Sequence, residues 1–205
     1  MKYVNIEKIA TGVLIGEKIN TPAVMADRIA EFVCDLSFDW RVLDKCSPDG
    51  KVLAMIDVGN KTICLNESCK SELQSNPGRM NFTIAHELGH WFLHRDLAQA
   101  RLPGFEGKIL ICRGIDCNTN SIERQANLFA TYLLMPQSFV ENAIRAFASP
   151  LTESDIKQLA AEFCVSKQAM LIRLVDELEL LYPVDGLYYS KTEFLELGGQ
   201  LKFDF

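Results

Sequence analysis

The sequence predicts an α+β fold, because short β-branched runs are enclosed by longer segments with helical periodicity. Three such runs, separated by turn signals, lie in the first half, and helical segments continue from there to about residue 181. With 205 residues, 48% of them hydrophobic and 23% charged, the chain can bury a core without disulfides. We therefore expect one compact domain over 1–181 and a C-terminal tail over 182–205.

The N-terminal region is predicted to contain a short apolar element followed by a helix. The segment IATGVLIG at 9–16 suits either a buried strand or the start of a helix, and it lacks the cleavage site of a secretory leader. In the next segment, NTPAVMADRIAEFVCDLSF, Thr21 fits an N-cap and Pro22 fits the first helical position. The apolar residues after Pro22 are spaced to give that helix one buried face.

The middle of the chain predicts a small antiparallel β-meander packed on helices. DWRVLDK, KVLAMIDV and KTICLNE are separated by SPDG and GN, which are turn sequences. After SNPGR comes a helix that contains HELGHWFLH at 86–94, and KILICR at 108–113 suits a further strand or a lone extended piece.

The last third of the chain is predicted to be largely helical. SIERQANLFATYLLMP forms a second strong helix that ends at Pro136, because the residue before proline avoids the α region. In the tail, KTEFLELGGQLKFDF alternates around Gly198 and Gly199 and can form a β-hairpin.

Composition argues against two classes of partner. Lys plus Arg number 21 and Asp plus Glu number 27, so the net charge of −6 does not favour broad binding to a phosphate backbone. No apolar run approaches the roughly 18 residues that a membrane span needs. Seven cysteines, an odd number, and no evident leader predict reduced thiols in a cytoplasmic protein.

The three histidines of the chain all lie in HELGHWFLH and predict a metal site. His86 and His90 are four residues apart, so both imidazoles lie on one face of a helix and can converge on a single zinc ion. Glu87 points about 100° round the helix, where its carboxylate can reach a water molecule without binding the metal itself. This H-E-x-x-H pattern predicts one zinc ion per chain and a glutamate that acts as a base.

Spacing alone leaves the third protein ligand open. His94 is eight residues beyond His86, a rise of about 12 Å, so it fits a supporting, helix-capping or substrate-facing group better than a third ligand. Asp96 has the spacing of a known third ligand but lacks the glycine turn that this ligand requires. Glu123 lies on the second helix, whose alanines permit close approach, although an acidic residue near a helix start also favours the helix dipole.

Two motifs together resemble a known family. RMNFTIAHELGHWFLH followed by IERQANLFATYLLMP is similar to the paired signature of the ImmA/IrrE metallopeptidases, R-x-x-F-T-x-A-H-E-x-G-H and E-x-x-A-N-x-F-A-x-x-L-L-M-P. The resemblance implies a zincin-like domain in which His86, His90 and Glu123 bind zinc and Glu87 is the catalytic acid and base. Asn127 is a candidate to orient Glu123, or it is an amide on a packing face.

The same resemblance implies a zinc-dependent endopeptidase that cleaves a protein. In this family the substrate is commonly a helix-turn-helix transcriptional repressor encoded nearby, and its cleavage relieves repression in a mobile element or a stress response. The alternative is a non-proteolytic regulatory or interaction protein on the same scaffold, but such a protein has no need of Glu87.

Two further patterns have plainer explanations. Cys64 and Cys69, and Cys112 and Cys117, form two C-x₄-C pairs that could make a four-cysteine zinc site, but core or loop thiols fit this spacing better.

The segment IKQLAAEFCVSKQAMLIRL at 156–174, within a helical pair at about 153–178, resembles a helix-turn-helix with Cys164 at the turn and Ser166 as cap. Its basic residues are followed by acidic ones, so we expect helix packing rather than a DNA-binding regulator.

Overall fold

The computed structural model describes residues 5–43, 52–100 and 119–198, with the backbone alone at 97–100 and 119–120. Mixed helices and short strands confirm the predicted α+β class. The helices are α1 Ile6–Gly16, α2 (Ala26–Arg28, continuing as π-helix Ile29–Val33), α3 Lys70–Ser75, α4 Pro77–Ala100, α5 Thr119–Leu134, α6 Gln137–Ile144, α7 Glu153–Glu162, α8 (Lys167–Leu171, continuing as π-helix Ile172–Glu177) and α9 Lys191–Glu196. The strands are β1 Ser37–Arg41, β2 Ala54–Asp57, β3 Thr62–Asn66, β4 Tyr182–Val184 and β5 Leu187–Tyr189.

The three-stranded sheet is mixed, so the predicted antiparallel meander is wrong. Its order is β1-β3-β2, with β1 parallel to β3 and only β2 antiparallel to β3. Every residue of β3 is buried, whereas β1 alternates between exposed and half-buried residues, which is typical of an edge strand. A strand that is buried along its whole length therefore occupies the centre, and order along the chain did not predict order in the sheet.

The N-terminal elements also differ from the prediction in detail. The segment at 9–16 is the end of α1, whose N-cap Asn5 accepts a hydrogen bond from the Lys8 N–H at 2.9 Å. Helix α2 begins at Ala26 rather than at Pro22, because the Asn81 side-chain carbonyl accepts the Ala26 N–H at 2.9 Å. A side chain from α4 therefore sets this helix start, and Thr21 does not act as the cap.

Asn81 also connects distant parts of the fold. Its buried side-chain amide donates to the Val24 carbonyl at 2.9 Å and to the Cys164 carbonyl at 3.1 Å. Close by, a Cβ atom on Gly78 would lie 2.5 Å from the carbonyl carbon of Val165, so only glycine fits there. The N-terminal part of α4 is thus fixed against the turn between α7 and α8.

Helices α7 and α8 pack as the predicted helix pair. Cys164 at the turn has a φ of 51°, the left-handed conformation usually taken by glycine, and Ser166 caps α8 by accepting the Ala169 N–H at 3.1 Å. Arg173 is only 2% exposed and donates to the Met135 carbonyl and to Glu177, both at 3.0 Å.

The hairpin of the tail lies earlier than predicted. Strands β4 and β5 pair antiparallel across Asp185 and Gly186, both with positive φ, which is the asparagine- or aspartate-glycine turn of a tight hairpin. Lys191–Glu196 is a helix instead, started by a capping box between Ser190 and Glu193. Residues 199–205, and the predicted strand at 108–113, lie outside the described residues.

One apolar core joins the helices to the sheet. Helix α4 packs against α5, β2, α2 and α3, and α1 packs on α5. The largest side chains with almost no exposure include Phe129, Phe163, Ile29, Leu88 and Leu133. Among the described helices, none combines the length and apolar character that crossing a bilayer requires.

Candidate metal centre

Close packing of α4 on α5 brings the predicted site residues together. A Cβ atom on Gly89 would lie 2.8 Å from the Cα of Ala126 and 2.9 Å from its carbonyl oxygen, so the two backbones meet where only glycine fits. Ala126 and Ala130 are fully buried along this contact. Because Glu123 lies about one turn before Ala126, its carboxylate is carried over the histidine face of α4.

Three potential ligand atoms converge between these helices. The Nε2 atoms of His86 and His90 are 3.1 Å apart. Glu123 places Oε2 3.2 Å from His86 Nε2 and Oε1 3.5 Å from His90 Nε2. With one atom taken from each residue, all lie within 4.8 Å of one another, and within the described part of the chain no other group of three such residues does so.

This donor set fits a zinc ion. Atoms at about 2.05 Å from a tetrahedral ion are about 3.3 Å apart, close to the three contacts between the histidines and Glu123. Two imidazoles and one carboxylate, with a fourth position left open, are the ligand set of catalytic zinc sites. A cation also explains why two ring nitrogens and a carboxylate face one another in a half-buried pocket.

Asn127 fixes the orientation of the His86 ring. Its side-chain carbonyl oxygen lies 2.8 Å from His86 Nδ1 and can only accept, so Nδ1 carries the hydrogen. A neutral His86 therefore has its lone pair on Nε2, the atom that faces Glu123 and His90. The prediction had Asn127 support Glu123; the contact made here is with His86.

His94 lies behind His90, away from the converging atoms. Its Nδ1 is 3.1 Å from His90 Nδ1, and its Nε2 is 3.3 Å from the side-chain oxygen of Gln125 on α5. Gln125 in turn donates to the Ser121 hydroxyl at 3.2 Å. Burial, partly offset by Gln125, lowers the pKa of His94.

Glu87 is buried beside the same pocket without joining the three ligand atoms. Its exposed fraction is 5%, and the Ile56 backbone N–H of β2 donates to its carboxylate. The β2–β3 register turns that N–H away from β3, toward the outer edge of β2. Burial raises the pKa of Glu87, and the neighbouring His86 and His90 only partly offset this.

The charges of His86 and Glu123 support each other. Burial lowers the pKa of His86, but hydrogen bonding to Glu123 and the nearby carboxylates outweigh it, so the net pKa is raised. Burial raises the pKa of Glu123, yet the neighbouring His86 and His90 rings outweigh it and hold that pKa well below its usual range. The carboxylate is thus ionised and attracts positive charge into the pocket.

The alternative third ligand lies away from the pocket. Helix α4 runs without a break through Asp96, whose side chain is 92% exposed and lies 3.8 Å from Arg95. Of the two cysteine pairs considered for a four-cysteine zinc site, Cys64 and Cys69 are buried free thiols. The other pair, Cys112 and Cys117, lies outside the described residues.

Sequence reasoning missed Gln125 and the Ile56 N–H. Gln125 is two residues from Glu123, off the face that carries Glu123 and Asn127, so helical periodicity assigned it no role. The Ile56 contact depends on where the edge strand meets α4, and the predicted strand order placed that edge wrongly.

Known proteins resemble this chain in sequence and in fold. The family model described as IrrE N-terminal-like domain, Peptidase M78, matches residues 45–175. Metallopeptidase ImmA of Bacillus subtilis (strain 168) is 35% identical over 72 residues, which span 35% of this chain and 37% of that relative. A Mycobacterium tuberculosis transcriptional regulator shares the fold, with a TM-score of 0.51 and 19% identity over 83% of this chain and 47% of that one.

Proposed function

We propose, on the premise that this chain belongs to the IrrE N-terminal-like domain family of peptidases, that it is a zinc-dependent endopeptidase. His86, His90 and Glu123 would hold one zinc ion, and Glu87 would be the catalytic acid and base. The observation that carries the proposal is the convergence of two imidazole nitrogens and one ionised carboxylate beside a separate buried glutamate.

The chemistry divides between the ion and Glu87. Zinc, when bound, activates water and polarises a substrate carbonyl. Glu87 accepts a proton from the attacking water and delivers it to the leaving amine. Burial raises the pKa of Glu87, which strengthens it as the acceptor of the proton from water, and the Ile56 N–H holds the carboxylate in place.

The substrate class is a protein, and we infer a helix-turn-helix transcriptional repressor. This inference rests on the motif resemblance to the ImmA/IrrE family. The outer edge of β2 supports an extended peptide as the bound form, because the Ala54 and Ile56 backbone groups point away from β3 next to Glu87. A purely regulatory protein on this scaffold would not require a buried glutamate beside the ligand atoms.

Glu87→Gln tests the proposal directly. The variant should bind about one zinc ion per chain, as the native chain does, because Glu87 is not a ligand. Cleavage of the repressor encoded beside its gene should fall by about 10²–10⁴-fold, because the base is lost. Metal content is measured by elemental analysis and cleavage by mass spectrometry of the products.

Glu162→Gln, the same change at an exposed position on α7, is the matched control and should leave both values unchanged. Equal cleavage by the Glu87→Gln variant and the native chain would refute the role of Glu87. A native zinc-loaded chain that cleaves no repressor would refute the substrate assignment.

A further inference from the structure

Both histidines of the candidate metal centre are held from behind by side chains of α5, but by different routes. His86 contacts Asn127 directly, whereas His90 is connected to α5 through His94 and Gln125. His90 and His94 are 1% and 3% exposed, so water does not readily replace either ring in the contact between them. His94 is therefore placed to act on His90 rather than on the metal.

The hydrogen-bond directions along this route follow from Gln125. Its amide nitrogen donates to the Ser121 hydroxyl, which leaves the amide oxygen facing His94 Nε2. An amide oxygen only accepts, so Nε2 of His94 carries the hydrogen and a neutral His94 has a bare Nδ1. That bare nitrogen lies 3.1 Å from His90 Nδ1, which must then be the donor.

We propose that Gln125 and His94 are positioning residues that preset His90 in the tautomer with hydrogen on Nδ1 and a bare Nε2. His90 Nε2 is the atom that faces His86 and Glu123, so the route prepares it to bind a metal before any metal arrives. This inference rests on the proposed function for the identity of the metal, but its tautomers exist in the metal-free chain.

The tautomers can be measured directly, because this chain has only three histidines. Long-range ¹H–¹⁵N correlation spectra of the native protein should contain three ring systems, assigned with single His→Gln variants. In both the metal-free and the zinc-loaded chain, His94 should carry its hydrogen on Nε2, opposite to His90. A His94 ring with hydrogen on Nδ1 and a bare Nε2 would overturn the proposal.

Substitution of Gln125 tests the consequence for metal binding. Gln125→Leu removes the acceptor and should weaken zinc binding about 10-fold, within the 10–100-fold range for residues that support ligands. Gln125→Glu keeps an acceptor and should bind zinc at least as tightly as the native chain. Zinc affinity is measured by competition with a chromophoric chelator, and unfolding of the metal-free chain reports any general loss of stability.

Gln158→Leu, the same change at an exposed position on α7, is the matched control. Equal zinc affinities for the Gln125→Leu and Gln158→Leu variants would refute the role of Gln125. A native chain that binds no zinc would instead refute the proposed function, and the metal-free spectra would still decide the tautomer of His94.

Discussion

The α4–α5 pair and the α7–α8 pair are built alike but use their polar groups differently. Each pair is packed against a glycine of α4, where the backbones approach closely. Gly89 lies against Ala126 of α5, and Gly78 lies against Val165 in the turn between α7 and α8. Between α4 and α5, ring nitrogens and a carboxylate converge, an arrangement that a cation would complete. Around α8, the buried Arg173 is paired with Glu177 and the Met135 carbonyl, and the exposed Lys167 is paired with Glu153.

This difference distinguishes a candidate binding site, between α4 and α5, from contacts that stabilise the fold, around α8. Potential ligand atoms of several residues that converge on one point can hold a cation, whereas polar groups that pair off with one another hold a fold together. Arg173, a basic residue of the helix-turn-helix-like segment at 156–174, is buried and donates to Met135 and Glu177. The contacts around α8 therefore tie it to α7 and to the end of α5.

The largest expected effect comes from neutralising one glutamate in each region. Glu123→Gln should weaken zinc binding by more than about 100-fold, because it removes a proposed ligand rather than a supporting residue. Glu177→Gln should leave zinc affinity unchanged and lower the free energy of unfolding by about 1.5 kcal/mol, the loss of one charged hydrogen bond. Chelator competition and urea unfolding measure the two quantities. Similar zinc affinities in the two variants would contradict the distinction between a metal centre at α4–α5 and purely structural contacts around α8.

A smaller effect is expected from adding one methyl group at each glycine joint. Gly89→Ala and Gly78→Ala should each lower the free energy of unfolding by about 2 kcal/mol, because the new Cβ meets backbone atoms that cannot move aside cheaply. Only Gly89→Ala should also weaken zinc binding, since it pushes Glu123 away from the histidines. Weaker zinc binding in the Gly78→Ala variant would mean that the two regions are coupled.

The smallest expected effect is a pH dependence of the metal-free chain. The lowered pKa of Glu123 stabilises the fold above about pH 4.5, and this contribution is lost as the pH falls. The raised pKa of His86 stabilises it below about pH 6.5, and this contribution is lost as the pH rises through the folded pKa.

The native chain should therefore exceed the Glu123→Gln variant in stability most between about pH 4.5 and 6.5, by about 1 kcal/mol. Urea unfolding with chelator present, repeated from pH 4 to 9, measures this difference. A difference that does not change with pH would show that the His86–Glu123 pair is not charged in the folded state.

Local chemistry predicted the helices and the clustered site residues, and long-range contacts decided the rest. Helical spacing was enough to pair His86 with His90, and two motifs were enough to nominate Glu123. The start of α2 could not be predicted, because its cap is Asn81, which is 55 residues from Ala26. Strand order failed for a similar reason, since the parallel pairing of β1 with β3 joins residues that are 25 apart in the chain, such as Ser37 and Thr62.

The contacts of Asn81 and Gly78 have a consequence for biosynthesis. Cys164 and Val165 contact Asn81 and Gly78 near the start of α4, and they lie 83 residues or more beyond Asn81 in the chain. A ribosome releases the histidine motif long before it releases these two residues, so the start of α4 must wait for the turn before α8. We therefore expect nascent chains that stop before residue 164 to lack a settled α4, so that the candidate metal centre forms only after residues 164 and 165 have been made.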